Sequence, residues 1–289
     1  MKISKDNNNH DDHIAGSGIN IVSIIAGMML TIFIISIITL LIADVTYEHF
    51  KFSAILNMLK TPSVRFAIKL SLITSILTLI LVVIVAVPTG YALSRFKFPG
   101  RSVADMIVDL PIVLPPIIIG VSLLVFFSTD FGKFLHTWIE NHGSWADHIG
   151  INAKATIGIV LCQFFVSVSY TIRACKAAFD SVDRRLEQTA MTLGATNWQT
   201  FWRISLPLAR NGLIAGAVMS WARAIGVFGP IIVLVGTMAF SAEVLPSTIQ
   251  VRMSVGEMEV GIAAAMIMVV FATIALTIVH WLTPNRKWN

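Results

Sequence analysis

Six runs of about 20 mostly apolar residues, at 20–43, 67–94, 104–127, 155–173, 208–236 and 261–282, limit what this chain can fold into, because each is long enough to cross a bilayer's hydrocarbon core. Inside lipid every backbone N–H and C=O must find a partner within the protein, so the spans are expected to be α-helices. The expected class is all-α: a polytopic membrane protein with six transmembrane helices. Only 13% of the residues are charged, about half the share found in a soluble domain. The first run follows a polar segment containing Asp6, Asp11 and Asp12. It is too long for a signal-peptide core and has no small-residue cleavage site behind it, so it is expected to stay as an anchor.

An even number of spans puts both ends on one side, and the basic residues say which. With both termini in the cytoplasm, thirteen Lys and Arg lie inside (Lys2, Lys5, Arg95, Lys97, Arg101, Arg173, Lys176, Arg184, Arg185, Arg203, Arg210, Arg286 and Lys287). Seven lie outside (Lys51, Lys60, Arg65, Lys69, Lys133, Lys154 and Arg252), and only Arg223 is left within a span. That bias favours the placement of both ends in the cytoplasm. The net charge of +5 is scattered over loops, with no basic helix to suggest nucleic acid. Cys162 and Cys175 have no metal-binding or redox spacing. His10 and His13, in a polar tail expected to be disordered over 1–18, form no fixed metal site. No nucleotide-binding glycine loop or nucleophile arrangement is present, so no catalytic residue and no cofactor is expected on this chain. In the outer loops, Phe131, Phe134, Leu135, Trp138 and Ile139 recur at helical spacing, as do Phe52, Ile55, Leu56 and Leu59. Both read as short helices on the membrane surface or as packed loops.

The longest cytoplasmic loop, RRLEQTAMTLGATNWQTFWRISLP at 184–207, is polar and heavily punctuated. Asp183 is placed to cap a helix from Arg184, and Gly194 to end it in the left-handed conformation. Thr196 with Gln199 reads as a capping box opening a second helix, along which Trp198, Phe201 and Trp202 form a stripe. Pro207 then starts the fifth span, where its missing N–H is harmless. Two helices around a glycine bend, leading into a span, make a lever for a cytosolic protein. Alternatively, the aromatics anchor an interfacial helix.

The segment resembles the EAA loop of importer-type ATP-binding-cassette (ABC) permeases. The pattern falls on Gln188-Thr189-Ala190, Gly194, Ile204 and Leu206-Pro207, with Gln188 replacing the family's glutamate and Thr189 its first alanine; Glu187 stands one place earlier. The resemblance implies that Glu187, Gln188, Ala190, Gly194, Ile204, Leu206 and Pro207 couple the chain to a separate cytoplasmic ATPase. Two such ATPases, carrying ATP and Mg, would switch paired permeases between inward-facing and outward-facing states. An extracytoplasmic solute-binding protein would deliver the solute. The implied permease core is 61–283, following a first span and external connection at 19–60 and preceding a cytoplasmic end at 284–289.

Two further stretches, DLPIVLPPIIIGVSLL and SWARAIGVFGPIIVLVG, look like the molybdate, tungstate and sulfate branch of that family. Related oxyanion permeases often carry a glutamate where this chain has Val227, and the same fold also serves phosphate-like anions, iron, thiamine and polyamines. Pro111, Pro115 and Pro116 should break or kink the third span, as a gate, as a pathway wall or as a packing kink. Phe228 belongs to the same candidate pathway. Arg223, costly in lipid at about 2.5–3.5 kcal/mol, either faces the pathway and attracts an oxyanion or is held structurally, by helix carbonyls or by Asp105 or Asp109. Gly212 and Gly216, continued by Ser220 and Ala224, offer a smooth face for close approach of another helix. A small six-span body is expected to work as a homodimer around a shared route. The remaining readings are a self-sufficient channel or ion-coupled carrier, which should show intramembrane acids or a selectivity ring, and a membrane receptor.

Overall fold

The computed structural model describes residues 15–46, 59–142, 152–236 and 242–282, and every regular element among them is helical. The expected tail up to residue 14, with its histidines, lies outside them, as do Phe52, Ile55, Leu56 and the C-terminal residues from 283. Helix α1 (Ala15–Thr46) forms a unit by itself. It begins within the last few residues that the sequence assigned to the tail.

The second unit holds the remaining helices. They are α2 (Pro62–Arg95), α3 (Arg101–Val113), α4 (Pro116–Ser128), α5 (Asp130–His142), α6 (Ala153–Asp180), α7 (Arg184–Thr192) and α8 (Asn197–Thr200), followed after the π-turn Phe201–Ser205 by α9 (Leu206–Ile225), α10 (Gly229–Leu234), α11 (Leu245–Ser254) and α12 (Met258–Leu282). Four described helices are long and apolar enough to cross a membrane: α1, α2, α6 and α12. The pair α3 and α4 makes a fifth candidate if its bent halves count as one span. Helix α9 is not among them, since Arg210, Asn211 and Arg223 lower its apolar content.

Helices α2, α6 and α9 form the centre. Small residues let their backbones approach closely. A Cβ added at Gly90 of α2 would lie 2.6 Å from the Cys175 Cβ of α6, and one at Gly216 of α9 would lie 2.6 Å from the Ala174 Cβ. Gly212 meets Ala178 in the same way at 2.7 Å. The small-residue face of α9 is thus filled by α6 of the same chain and supplies no evidence for a second copy. Val82, Ala86, Val168, Ile172, Phe179 and Leu213 fill the space between these helices. Polar residues join them too. Thr78 donates to the Gln163 side-chain oxygen at 2.9 Å, and Trp221 Nε1 donates to Ser75 at 3.1 Å. In a bilayer such pairs satisfy groups that lipid would strand.

Two of the expected spans are interrupted. The third breaks at Leu114 and Pro115, its halves bent by 107°. Pro111 is accommodated inside α3, and Pro116 opens α4, where no N–H is required. The expected fifth span, 208–236, also stops at Ile225 and resumes as α10 after Gly226, Val227 and Phe228. The run Phe131, Phe134, Leu135, Trp138 falls on α5, whose Phe131 and Phe134 are exposed.

Candidate functional site

The loop between α6 and α9 has the caps its sequence encodes. Asp183 accepts from the Arg185 N–H at 2.9 Å, starting α7, and Gly194 takes φ 92° beyond its end. Thr196 and Gln199 cap each other, the N–H of Thr196 donating to Gln199 at 3.0 Å and that of Gln199 to Thr196 at 3.2 Å. Beyond α8 the chain departs from a plain helix. Residues 201–205 form a π-turn in which the Leu206 N–H bonds to the Phe201 carbonyl. The cause is Pro207, which cannot donate and whose ring would strike a carbonyl one turn back, so the ladder widens ahead of it. The helical path nevertheless continues from Asn197 to Ile225.

Glu187 is turned inward and only 5% exposed. Its carboxylate accepts from Arg95 Nε at 2.9 Å and from the Ser205 hydroxyl at 2.7 Å. Arg95 also donates through Nη2 to the carbonyls of Phe179, at 2.8 Å, and Val182, at 3.0 Å. An aromatic cluster closes over this group: Tyr91 stands 4.8 Å from Phe201 and 5.2 Å from Phe179, ring centre to ring centre. Gln188 is exposed, Ala190, Ile204 and Leu206 are half-buried, and Pro207 is exposed. Leu193, 84% exposed, and Trp198, 69% exposed, make the outer face of the bend apolar.

The pathway candidates divide. Pro115, Pro116, Arg223 and Phe228 line one cavity of about 480 Å³, together with Val166, Gly226 and Pro230, so the two broken spans face each other across it. Pro111 instead lines an apolar cavity of about 440 Å³ beside Phe126, Leu135 and Phe165. Arg223 is exposed, its guanidinium carbon 3.7 Å from the centre of the Tyr170 ring and its Nη2 donating to the Tyr170 hydroxyl at 2.8 Å. The expected alternative of a carboxylate partner for Arg223 is corrected here. Asp109 is held by Arg173, while Asp105 accepts from Lys176 at 3.0 Å and from Arg173 at 3.3 Å. The reason is position: both acids sit on α3 against Arg173 and Lys176 in the C-terminal part of α6.

A family described as binding-protein-dependent transport system inner membrane component matches residues 83–288. The chain belongs to this family. It is therefore a membrane permease of an ABC importer, and it is similar to permeases for molybdate, tungstate and sulfate. It is 37% identical to the molybdate/tungstate transport system permease protein WtpB of Thermococcus kodakarensis, over 62% of this chain and 64% of that protein, a little under two thirds of the relative's length. It is 31% identical to the molybdenum transport system permease protein ModB of Haemophilus influenzae, over 76% of this chain and 94% of that one. It is also 30% identical to the sulfate transport system permease protein CysT of Escherichia coli, over 75% of this chain and 74% of that one. The fold matches a permease-sized chain in the crystal structure of a bacterial alginate ABC transporter, with a TM-score of 0.67, 20% identity, and 92% and 94% of the two chains covered.

Sequence reasoning missed Tyr170 and the Arg95 to Glu187 pair. Glu187 gave one signal: it shares a helical face with Ala190, the half-buried side of α7.

Proposed function

We propose that this chain carries a tetrahedral oxyanion, of the molybdate, tungstate or sulfate class, across the cytoplasmic membrane as half of a homodimeric permease. Six spans cross the bilayer with both termini in the cytoplasm, α9 and α10 together supplying the fifth. A solute-binding protein delivers the anion outside. Two ATPase subunits, holding ATP and Mg, dock inside on the exposed bend formed by Gln188, Leu193, Trp198 and Trp202. No cofactor sits on this chain.

One observation supports the reading above others. The helical path from Asn197 to Ile225 joins the cytoplasmic bend to the cavity lined by Arg223, a run of about 40 Å at 1.5 Å per residue. A push at the bend therefore reaches the two broken spans along a single element. Arg223 supplies positive charge where an oxyanion passes, and Tyr170 holds the guanidinium meanwhile. Ala190, Gly194, Ile204, Leu206 and Pro207 give the bend its shape and its entry into α9.

Co-expression with a partner ABC ATPase and reconstitution into vesicles, with the solute-binding protein supplied outside, tests this. Uptake of molybdate or tungstate should require ATP and the ATPase. Uptake by the chain alone refutes it, and a complex containing two different permease chains refutes the homodimer.

A further inference from the structure

The docking bend must do more than bind. If it flexed under load, ATP-driven displacement would be lost before it reached the membrane. Three side chains oppose that flexing. Glu187 projects from α7 to the Ser205 hydroxyl at the end of the π-turn, and to Arg95, the last residue of α2. Arg95 reaches on to the carbonyls of Phe179 and Val182 at the end of α6. Ser94 continues the tie by donating to Asp180 at 2.6 Å. The Arg95 and Glu187 side chains are 6% and 7% exposed. The pair lies beside Tyr91, Phe179 and Phe201, and in so dry a setting a charge pair is strong and costly to separate.

We infer that Glu187 and Arg95 form the rigid joint that locks the docking bend to α2, α6 and α9, so that Glu187 is a positioning residue and not a contact for the ATPase. This rests on the coupling role proposed above for the bend. Burial argues for it directly, since a carboxylate on a side chain only 7% exposed, already bound by a guanidinium and a hydroxyl, offers little to an outside protein. Gln188, at the register of the family's glutamate, is the exposed neighbour. Arg95 brings together the cytoplasmic ends of α2 and α6, so motion of α7 becomes motion of both helices.

The test uses the complex with its ATPase in proteoliposomes, supplied with its solute-binding protein and with molybdate as the transported probe. Glu187→Gln retains the shape and an acceptor for Ser205 but removes the charge. The variant should still bind the ATPase and hydrolyse ATP, while molybdate carried per ATP falls about tenfold, within the range of measured couplings between sites. Spin labels at Arg185→Cys, exposed on α7 and outside the docking surface, and at Lys97→Cys should keep one separation in nucleotide-free and ATP-bound complexes, and shift between these states once Glu187→Gln is added. Loss of the ATPase from the variant complex overturns the inference, because Glu187 would then be a docking contact. Unchanged transport per ATP with an unchanged label separation overturns it as well. If Glu187→Gln does not fold, Ser205→Ala removes one of the two ties and is read by the same outcomes. A wild-type chain that binds no ATPase defeats the underlying coupling role, and a wild-type complex that couples normally isolates the test to the joint.

Discussion

Replacing Gly120 by alanine tests whether α4 and α10 are as tightly apposed as the structure has them. An added Cβ would lie 2.6 Å from the Cα of Pro230, 2.7 Å from its carbonyl oxygen and 3.1 Å from its carbonyl carbon. All three are backbone atoms, and proline cannot rotate away. Ordinary contact begins at 3.4 Å, so the helices must part by about 0.8 Å, enough to weaken dispersion contacts along the seam. Helix propensity favours alanine over glycine by about 1 kcal/mol, whereas overpacking against backbone that cannot yield falls in the upper part of its range, at about 2–3 kcal/mol, leaving a net loss of about 1–2 kcal/mol. At roughly 2–4 °C per kcal/mol, the melting temperature of the purified complex should fall by several degrees. Gly226→Ala is the control. It lies in the lining of the 480 Å³ cavity, has an ordinary φ of −81°, and its added Cβ would meet nothing nearer than 3.6 Å. Its stability should stay within about 0.5 kcal/mol of wild type. Thermal unfolding in lipid nanodiscs reads both. A Gly120→Ala protein as stable as wild type, or a Gly226→Ala protein equally damaged, refutes the close packing of these two helices.

Arg223→Gln should insert and bind the ATPase normally while oxyanion uptake falls about tenfold, the size of one lost charge-assisted contact; unchanged uptake ends its pathway role. Gly194→Ala forces a side chain into the left-handed region at φ 92°, so the complex should lose about 1 kcal/mol in thermal unfolding. Thr196→Ala removes the cap of the second loop helix and should cost about 1 kcal/mol by the same measurement. Gly216→Leu should destabilise the single chain, because Ala174 blocks the added side chain, while cross-linking of the surviving folded fraction still reports two copies.

Local signals in the sequence translated well. Asp183, Gly194, Thr196 and Gln199 act within three or four residues of themselves, so their caps can be inferred without the rest of the fold. Hydropathy placed the long helices because lipid imposes one rule on every span. Prolines marked a break in the third span, and Pro115 lies at it, yet its 107° angle depends on neighbours the local sequence does not name. Contacts distant in sequence were not legible. Arg95 and Glu187 are 92 residues apart, Tyr170 and Arg223 are 53 apart, and neither pair has any periodic signature. The glycines of α9 advertised a close neighbour without saying which helix it was. Arg223 was recognised as a cation needing company, but a tyrosine ring gives no charge pattern that would single it out.

The acids of α3 and the bases of α6 also bear on how the chain is made. Asp109 and Arg173 are separated by 64 residues, which a ribosome adds in roughly 3 to 13 seconds. During that interval the bases that neutralise Asp105 and Asp109 in the finished fold have not been synthesised. Final seating of α3 against α6 therefore waits until Arg173 and Lys176 have been made.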